Sequence, residues 1–333
     1  MKNMLRAVLV AAALCVGLLA GCANANQAAS ADAQEHKIKV VCATFPAYDW
    51  VTQVAGDRID DFEITYLMDS GVDLHSYQPS VQDIAKISDA DLFVYVGGES
   101  DGWAEDAVKA ASNSSLRTVN MMEVLGDRAV EEEVVEGMQA EEEEAEASAE
   151  GEEEPEYDEH VWLSLKNAQE LVDAIAVQLA DADSSHASEY SANAAAYKAK
   201  LAELDGKYES AVHAAAKKTV VFADRFPFRY LVDDYNLGYY AAFVGCSAET
   251  EASFETIAFL AQKVDELGLS NVLVIENSDE AIAKTVISNT QAKNQGILVM
   301  DSLQSVTAGD IASGKTYLGA MEGNLASLTA ALS

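Results

Sequence analysis

Two histidines have the local settings in which chemistry is commonly built. His75 lies in Asp73-Leu74-His75-Ser76-Tyr77-Gln78-Pro79-Ser80, just after an apolar stretch, and His160 lies in Asp158-Glu159-His160-Val161-Trp162-Leu163-Ser164. Both read as loop or strand-end positions, where binding residues concentrate. Neither belongs to a zinc-finger spacing or an HExxH helix, so a metal site here must draw ligands from distant parts of the chain. The other three histidines read differently. His36 falls in a polar stretch, and His186 and His213 fall on a long helical pattern where a solvated or packed role suffices. Later in the chain, acids follow apolar runs: Asp224 after VVFA, Glu276 after NVLVI and Asp301 after ILVM. An acid at the end of a buried strand faces the ligand edge of an open sheet. Helix capping, which Asp favours, competes with that reading, above all at Asp301. Imidazoles and carboxylates together suit a borderline divalent ion, zinc, or manganese if oxygen ligands dominate.

The elements that must position these residues alternate between strand and helix. Residues 37–44, 62–68, 91–96 and 116–119 read as buried strands with helices between them. A second series follows at 219–222, 238–243, 271–275 and 296–300, with helices at 254–267 and 279–290. Such alternation predicts βα units and parallel sheets. Between the two series, residues 185–216 carry Tyr190, Ala194, Tyr197, Leu201, Leu204, Tyr208 and Ala211 at steps of four and three, one apolar stripe along a helix. At 1.5 Å per residue that helix extends roughly 45 Å, more than one small lobe needs. The expected fold class is therefore α/β: two four-stranded parallel-sheet lobes joined by one long helix, with a metal site in the interlobe cleft. The corresponding divisions are 1–22, 23–36, 37–184, 185–216 and 217–333.

The chain of 333 residues carries 56 Asp+Glu against 21 Lys+Arg, a net charge of -35. So acidic a surface argues against nucleic acid as a partner, because phosphate contacts need cations. Half of the residues are hydrophobic, enough for a sizeable core. The charge is uneven: residues 127–159 hold 17 of the acids, one base and no histidine. That segment reads as a solvated, mobile loop. It either serves as a weak attractor that raises the local cation concentration, or is a solvated insertion with no metal role.

The N-terminus reads as an export signal. Lys2 and Arg6 precede an apolar run at residues 7–20, too short to span a bilayer comfortably, which ends in Leu19-Ala20-Gly21-Cys22. This resembles a bacterial lipobox, in which Cys22 takes the lipid and residues 23–36 form a tether; a plain signal peptide or a short anchor is the alternative. No later apolar run is long enough to cross a membrane. With Cys15 removed and Cys22 lipidated, Cys42 and Cys246 remain. They stand either as a disulfide, which an exported protein can keep, or as two small and mostly buried residues. Metal ligation by either is the weaker reading.

At these motifs the chain resembles the metal-specific solute-binding lipoproteins of bacterial zinc and manganese ABC importers. DLHSYQPS is similar to that family's Asp-Pro-His-x-Tyr-Glu-Pro, YVGGESDGW to its Gly-x-Glu-x-Trp region, and DEHVWLSLKNA to its Asp-x-His-x-Trp-Leu-Ser-Pro-x-Asn-Ala. MDSL falls where the family has an acid-bearing strand end, and SEYSANAAAYKAKLAELD resembles the start of its rigid linking helix. The resemblance covers nearly the whole mature chain. It implies that His75, His160 and Asp301 are metal ligands. It also implies that the acidic loop stands where zinc-importing members carry a His- and acid-rich insertion. One departure stands out. The family's remaining ligand is usually a His or Glu after the first strand of the second lobe, and here Ala223 aligns with it. Asp224 is the favoured substitute, with Glu249 and Glu251 as other oxygen donors; Glu276 looks like an acid near the cleft that is more often outside the ligand set.

By this resemblance the protein is a binding protein rather than an enzyme. It captures zinc, with manganese as alternative, and delivers it to an ABC permease and its ATPase. It works as an extracytoplasmic monomer held to the membrane through its lipid anchor only. A surface metal-buffering lipoprotein or an adhesin on the same fold is the alternative. A metal-dependent hydrolase fits less well, because the sequence holds no nucleophile elbow, no HExxH and no phosphate-binding glycine loop.

Overall fold

The computed structural model describes residues 37–139, 156–247 and 251–333. The signal, the tether and Cys22 lie outside them, as do Glu249 and the centre of the acidic segment. Residues from Ile38 to Ser333 form one compact unit.

The first half builds a four-stranded parallel sheet from β1 (Ile38–Cys42), β2 (Phe62–Tyr66), β3 (Leu92–Tyr95) and β4 (Arg117–Asn120), in the order β2-β1-β3-β4. The second half repeats that order with β5 (Thr219–Phe226), β6 (Gly238–Val244), β7 (Asn271–Ile275) and β8 (Gly296–Met300), arranged β6-β5-β7-β8 and again parallel throughout. Apolar runs such as LFVY and NVLVI form these strands because both faces of each sheet are covered by helices. The expectation of two four-stranded parallel lobes holds, and its strand positions shift by a few residues at most. The largest change is β5, which runs on through Phe226, with its register to β6 shifting between Phe222 and Arg225.

Helices α1 (Phe45–Ala55), α2 (Val81–Ser88), α3 (Trp103–Lys109) and α4 (Met121–Leu125) serve the first sheet. Two long helices follow, α5 (Leu165–Ala182) and α6 (Ala187–Ala214). The buried face of α6 is Tyr190, Ala194, Tyr197, Leu201, Leu204, Tyr208 and Val212. This is the expected stripe except at its end, where a step of four puts Val212 rather than Ala211 against the core. The helix is unbroken through Gly206 and spans about 42 Å. Near its start Tyr190 meets Phe62 edge-on, at 5.9 Å between ring centres. Near its end the Tyr208 hydroxyl donates to the Met321 carbonyl at 2.7 Å and its ring stacks on Tyr235. One helix thus touches both sheets' surroundings.

Five helices complete the second half: α7 (Arg229–Asp234), α8 (Phe254–Leu267), α9 (Ala281–Asn289), α10 (Ala308–Ala312) and α11 (Tyr317–Ala331). The halves are joined by more than α6. Trp50 of α1 packs edge-on against Tyr317 of α11, both fully buried. Tyr317 donates to the Trp162 carbonyl at 2.6 Å, and the Trp162 indole donates to the Ser302 carbonyl at 2.9 Å.

The acidic segment departs from the solvated loop expected over 127–159, at least at its two described ends. Glu131 forms an antiparallel bridge with Tyr157, and the Glu132 amide donates to the Glu156 carbonyl at 2.9 Å. From there the chain crosses to the second half. The Gln139 amide donates to the Ala242 carbonyl at 3.0 Å, and the Ser253 amide donates to the Gln139 side chain at 2.8 Å. Gly137 sits at φ +80°, so close to Phe259 that a Cβ would lie 2.0 Å from its ring. Met138 is buried. Pattern and composition foretold solvation here because acids outnumber apolar residues; a few apolar and amide contacts to β6 and α8 outweigh that tendency.

Candidate metal centre

His75 stands in a single helical turn, Leu74–Ser76, after β2. Buried Leu74 anchors the turn, and the Asp73 carboxylate accepts from the His75 amide at 3.0 Å. His160 is fully buried and leads into the turn Val161–Leu163, whose three side chains are also fully buried. Placing His160 this way fixes its backbone by apolar packing on one side and by Asp158 on the other. Asp158 Oδ1 accepts from the His160 amide at 2.8 Å and faces its Nδ1 at 3.0 Å. His75 Nδ1 is likewise engaged, 2.7 Å from Ser100 Oγ and 3.6 Å from Glu159 Oε2. Glu159 is held in turn by the Ser100 amide, which donates to its Oε1 at 2.7 Å.

With both Nδ1 atoms occupied, the two Nε2 atoms point at each other across 3.1 Å. At least one must carry a lone pair there, since two N–H groups cannot face each other. Two imidazole nitrogens on one tetrahedral zinc, at the usual Zn–N length, stand about 3.3 Å apart. Partners on the far ring nitrogen are also how metal-binding histidines are oriented and made more basic. Cys246, just beyond β6, completes the group: its Sγ and one ring nitrogen from each histidine lie within 4.8 Å of one another. Gly245 is what lets β6 come this close, because a Cβ there would stand 2.8 Å from His160 Cε1 and 2.9 Å from the Phe226 carbonyl.

Electrostatics act in opposite directions on the two imidazoles. Burial, and then the neighbouring His160, lower the His75 pKa to about 3. Burial also acts to lower His160, but the Asp158 carboxylate outweighs it and the net shift is upward. Burial, reinforced by Glu132, Asp158 and Glu159, raises the Cys246 thiol well above its usual value. Glu132 comes from the acidic segment: its Oε1 accepts from the Cys246 amide at 3.3 Å, and burial raises its pKa to about 7.

The structure brings together only part of the ligand set expected from sequence. Asp224 lies at the register shift of β5 and lines an interlobe cleft of about 450 Å³ with Asp73, Ser76 and Glu276, and its Oδ1 accepts from the Arg225 amide at 2.9 Å. It is not in the group formed by His75, His160 and Cys246. Ala223, the position compared above with the family's third ligand, is buried in the apolar cluster under β5. Asp301 pairs with Lys315 at 2.6 Å and accepts from the Leu303 amide at 2.9 Å. Glu276 accepts from the Ser302 amide and hydroxyl, each at 2.6 Å. Glu251 is exposed ahead of α8, and Glu249 lies outside the described residues. Cys42 and Cys246 are both free thiols, so the disulfide alternative does not hold. Cys246 is the residue that sequence reasoning underrated. Its signal was an exported thiol with no partner: Cys42 sits in β1, in the other half.

The chain is similar to zinc-binding proteins of known sequence and structure. At the sequence level, the zinc-binding lipoprotein AdcA of Streptococcus pneumoniae is 31% identical over 320 residues, 96% of this chain and 60% of that protein. This chain therefore spans less than two thirds of that relative. The high-affinity zinc uptake system protein ZnuA of Bacillus subtilis is 32% identical, with 95% of this chain and 94% of that protein covered. Among solved structures, the Zn(II)-bound ZnuA-like domain of Streptococcus pneumoniae AdcA superposes with a TM-score of 0.68 at 29% identity, covering 89% of this chain and 99% of that one. The profile described as zinc-uptake complex component A, periplasmic, matches residues 40–331, and the chain belongs to that family.

Proposed function

We propose that this protein is the extracytoplasmic solute-binding component of a zinc ABC importer, which captures the ion between its two halves and hands it to a membrane permease driven by an ATPase. The observation that carries the reading is the convergence of His75 Nε2 and His160 Nε2 at 3.1 Å, each ring fixed from behind through Nδ1. Two imidazoles favour zinc over manganese, which prefers oxygen donors. A carrier needs capture and release rather than an open catalytic position, and the buried, mutually facing rings suit capture. The proposed ligands are His75 and His160. Asp224 lines the cleft and accepts from the Arg225 amide, and Asp301 is paired with Lys315. No helix among the described residues is long and apolar enough to cross a membrane. Attachment through a lipid on Cys22, the tether at 23–36 and a monomeric state complete the proposal.

Calorimetric titration with zinc and manganese tests it. One equivalent of zinc should bind tightly and manganese weakly. His75→Ala and His160→Ala should each abolish tight binding, while Asp224→Ala and Asp301→Ala change it little. Tight zinc binding that survives both histidine substitutions refutes the site.

A further inference from the structure

The family resemblance leaves one ligand position empty of chemistry, because Ala223 offers no donor and is packed in the core of the second half. The nearby cation worsens that position: Arg225 reaches across the cleft and pairs with Asp73 at 2.9 Å. The adjacent strand offers what β5 lacks. In the sheet β6 lies beside β5, and its chain continues as Gly245-Cys246 directly over His160.

Resting on the zinc-carrier reading above, we propose that Cys246 is a metal ligand of this protein, a thiolate donated from the end of β6 that takes the place of the ligand missing after β5. Three features of the structure support it independently of any resemblance. The Cys246 sulfur and the two imidazoles already lie within 4.8 Å of one another, and a tetrahedral zinc holding sulfur and nitrogen sets them about 3.6 Å apart, so a small contraction suffices. Gly245 carries no side chain, and a Cβ there would hold β6 away from His160. Finally, the acidic segment is tied to this strand: Glu132 accepts from the Cys246 amide, and Gln139 binds the Ala242 carbonyl on β6. The segment thus fixes the backbone that carries the sulfur, whatever its central residues do.

On binding, the Zn–S bond forms as the S–H bond breaks, and the thiol proton leaves to solvent, one per ion. The chemistry that follows is specific. A set of two imidazoles and one thiolate is softer than one of imidazoles and carboxylates, which disfavours manganese. It also makes the site sensitive to thiol oxidation, which a carboxylate set is not.

The test uses the full-length chain with Cys15→Ser and Cys22→Ser in every sample, so that Cys42 and Cys246 are the remaining thiols. Cobalt(II) serves as the spectroscopic probe. The parent should show visible d–d bands together with a near-ultraviolet sulfur-to-cobalt charge-transfer band. Cys246→Ser should lose the charge-transfer band and lower zinc affinity by about tenfold or more, since even outer partners of a ligand cost 10–100-fold. Cys42→Ala should keep the band. Without any substitution at either position, one equivalent of zinc should protect Cys246 from alkylation, read by mass spectrometry. Cobalt bound without a charge-transfer band, or a band that persists in Cys246→Ser, overturns the thiolate ligand while leaving the zinc-carrier reading intact. A parent that binds neither zinc nor cobalt overturns both.

Discussion

Replacing Asp158 by Asn isolates what a carboxylate behind a ligand does. Asp158 is buried and its Oδ1 holds His160 twice, at the backbone amide and at Nδ1. Asn keeps the shape and one acceptor but removes the charge. Two effects follow. The pKa of His160, raised because Asp158 outweighs burial, should fall in Asp158→Asn. A raised folded-state pKa on a histidine adds stability that is full below the unfolded value of 6.5 and is lost as pH rises through the folded value. That acid-side contribution should therefore disappear in the variant. The second effect is on the metal: a less basic and less firmly oriented imidazole should weaken zinc binding by about 10–100-fold, or about 1.4–2.7 kcal/mol. The affinity is best measured by competition with a chromophoric chelator at pH 8, above the ordinary imidazole range. The His160 titration is followed by NMR on the metal-free protein. Zinc affinity within twofold of the parent at pH 8, in a variant whose His160 pKa has dropped, refutes the argument that this carboxylate tunes the ligand.

Further outcomes are expected elsewhere. Gly245→Ala places a Cβ 2.8 Å from His160 and 2.9 Å from the Phe226 carbonyl, so it should weaken zinc binding by about tenfold or more and cost about 1–3 kcal/mol in urea unfolding. Gly137→Ala collides with Phe259 at a positive φ, and should release the 130–139 segment, seen as faster amide exchange at Gln139 with the sheets unchanged. Burial raises the pKa of Asp49 to about 6 from 3.8, although the Tyr197 hydroxyl donates to it. Its contribution to stability is therefore largest below about pH 4 and declines by about 3 kcal/mol as pH rises toward 6, a decline that Asp49→Asn should flatten in paired unfolding curves. Trp50→Ala, which empties a fully buried site against Tyr317, should cost about 3–5 kcal/mol in the same assay.

Much of the architecture was legible in the sequence, because periodicity is a local property and the sheets are buried on both faces. The apolar runs at β7 and β8 mark strands whatever surrounds them, and the stripe from Tyr190 to Tyr208 marks one face of a helix. The two histidines were legible for the same reason: each follows a recognisable stop in the pattern. Sequence failed where the outcome depends on which neighbour wins. The acids of residues 131–139 predict solvation, yet Met138 and Gln139 find partners on β6 and α8, which no local pattern contains. Asp224 and Asp301 carry the right functional group, but β5 runs on past Asp224, whose carboxylate accepts from the Arg225 amide, and Lys315 is placed to pair with Asp301. Cys246 carries little signal of its own, and it reaches the histidines only because β6 lies beside β5 and Gly245 allows the close approach. Residue types thus determined that the chain could bind a metal. Which donors converge was decided by strand order and by a single missing Cβ, because coordination depends on distances of a few ångströms between atoms that are 85 or more residues apart in the chain.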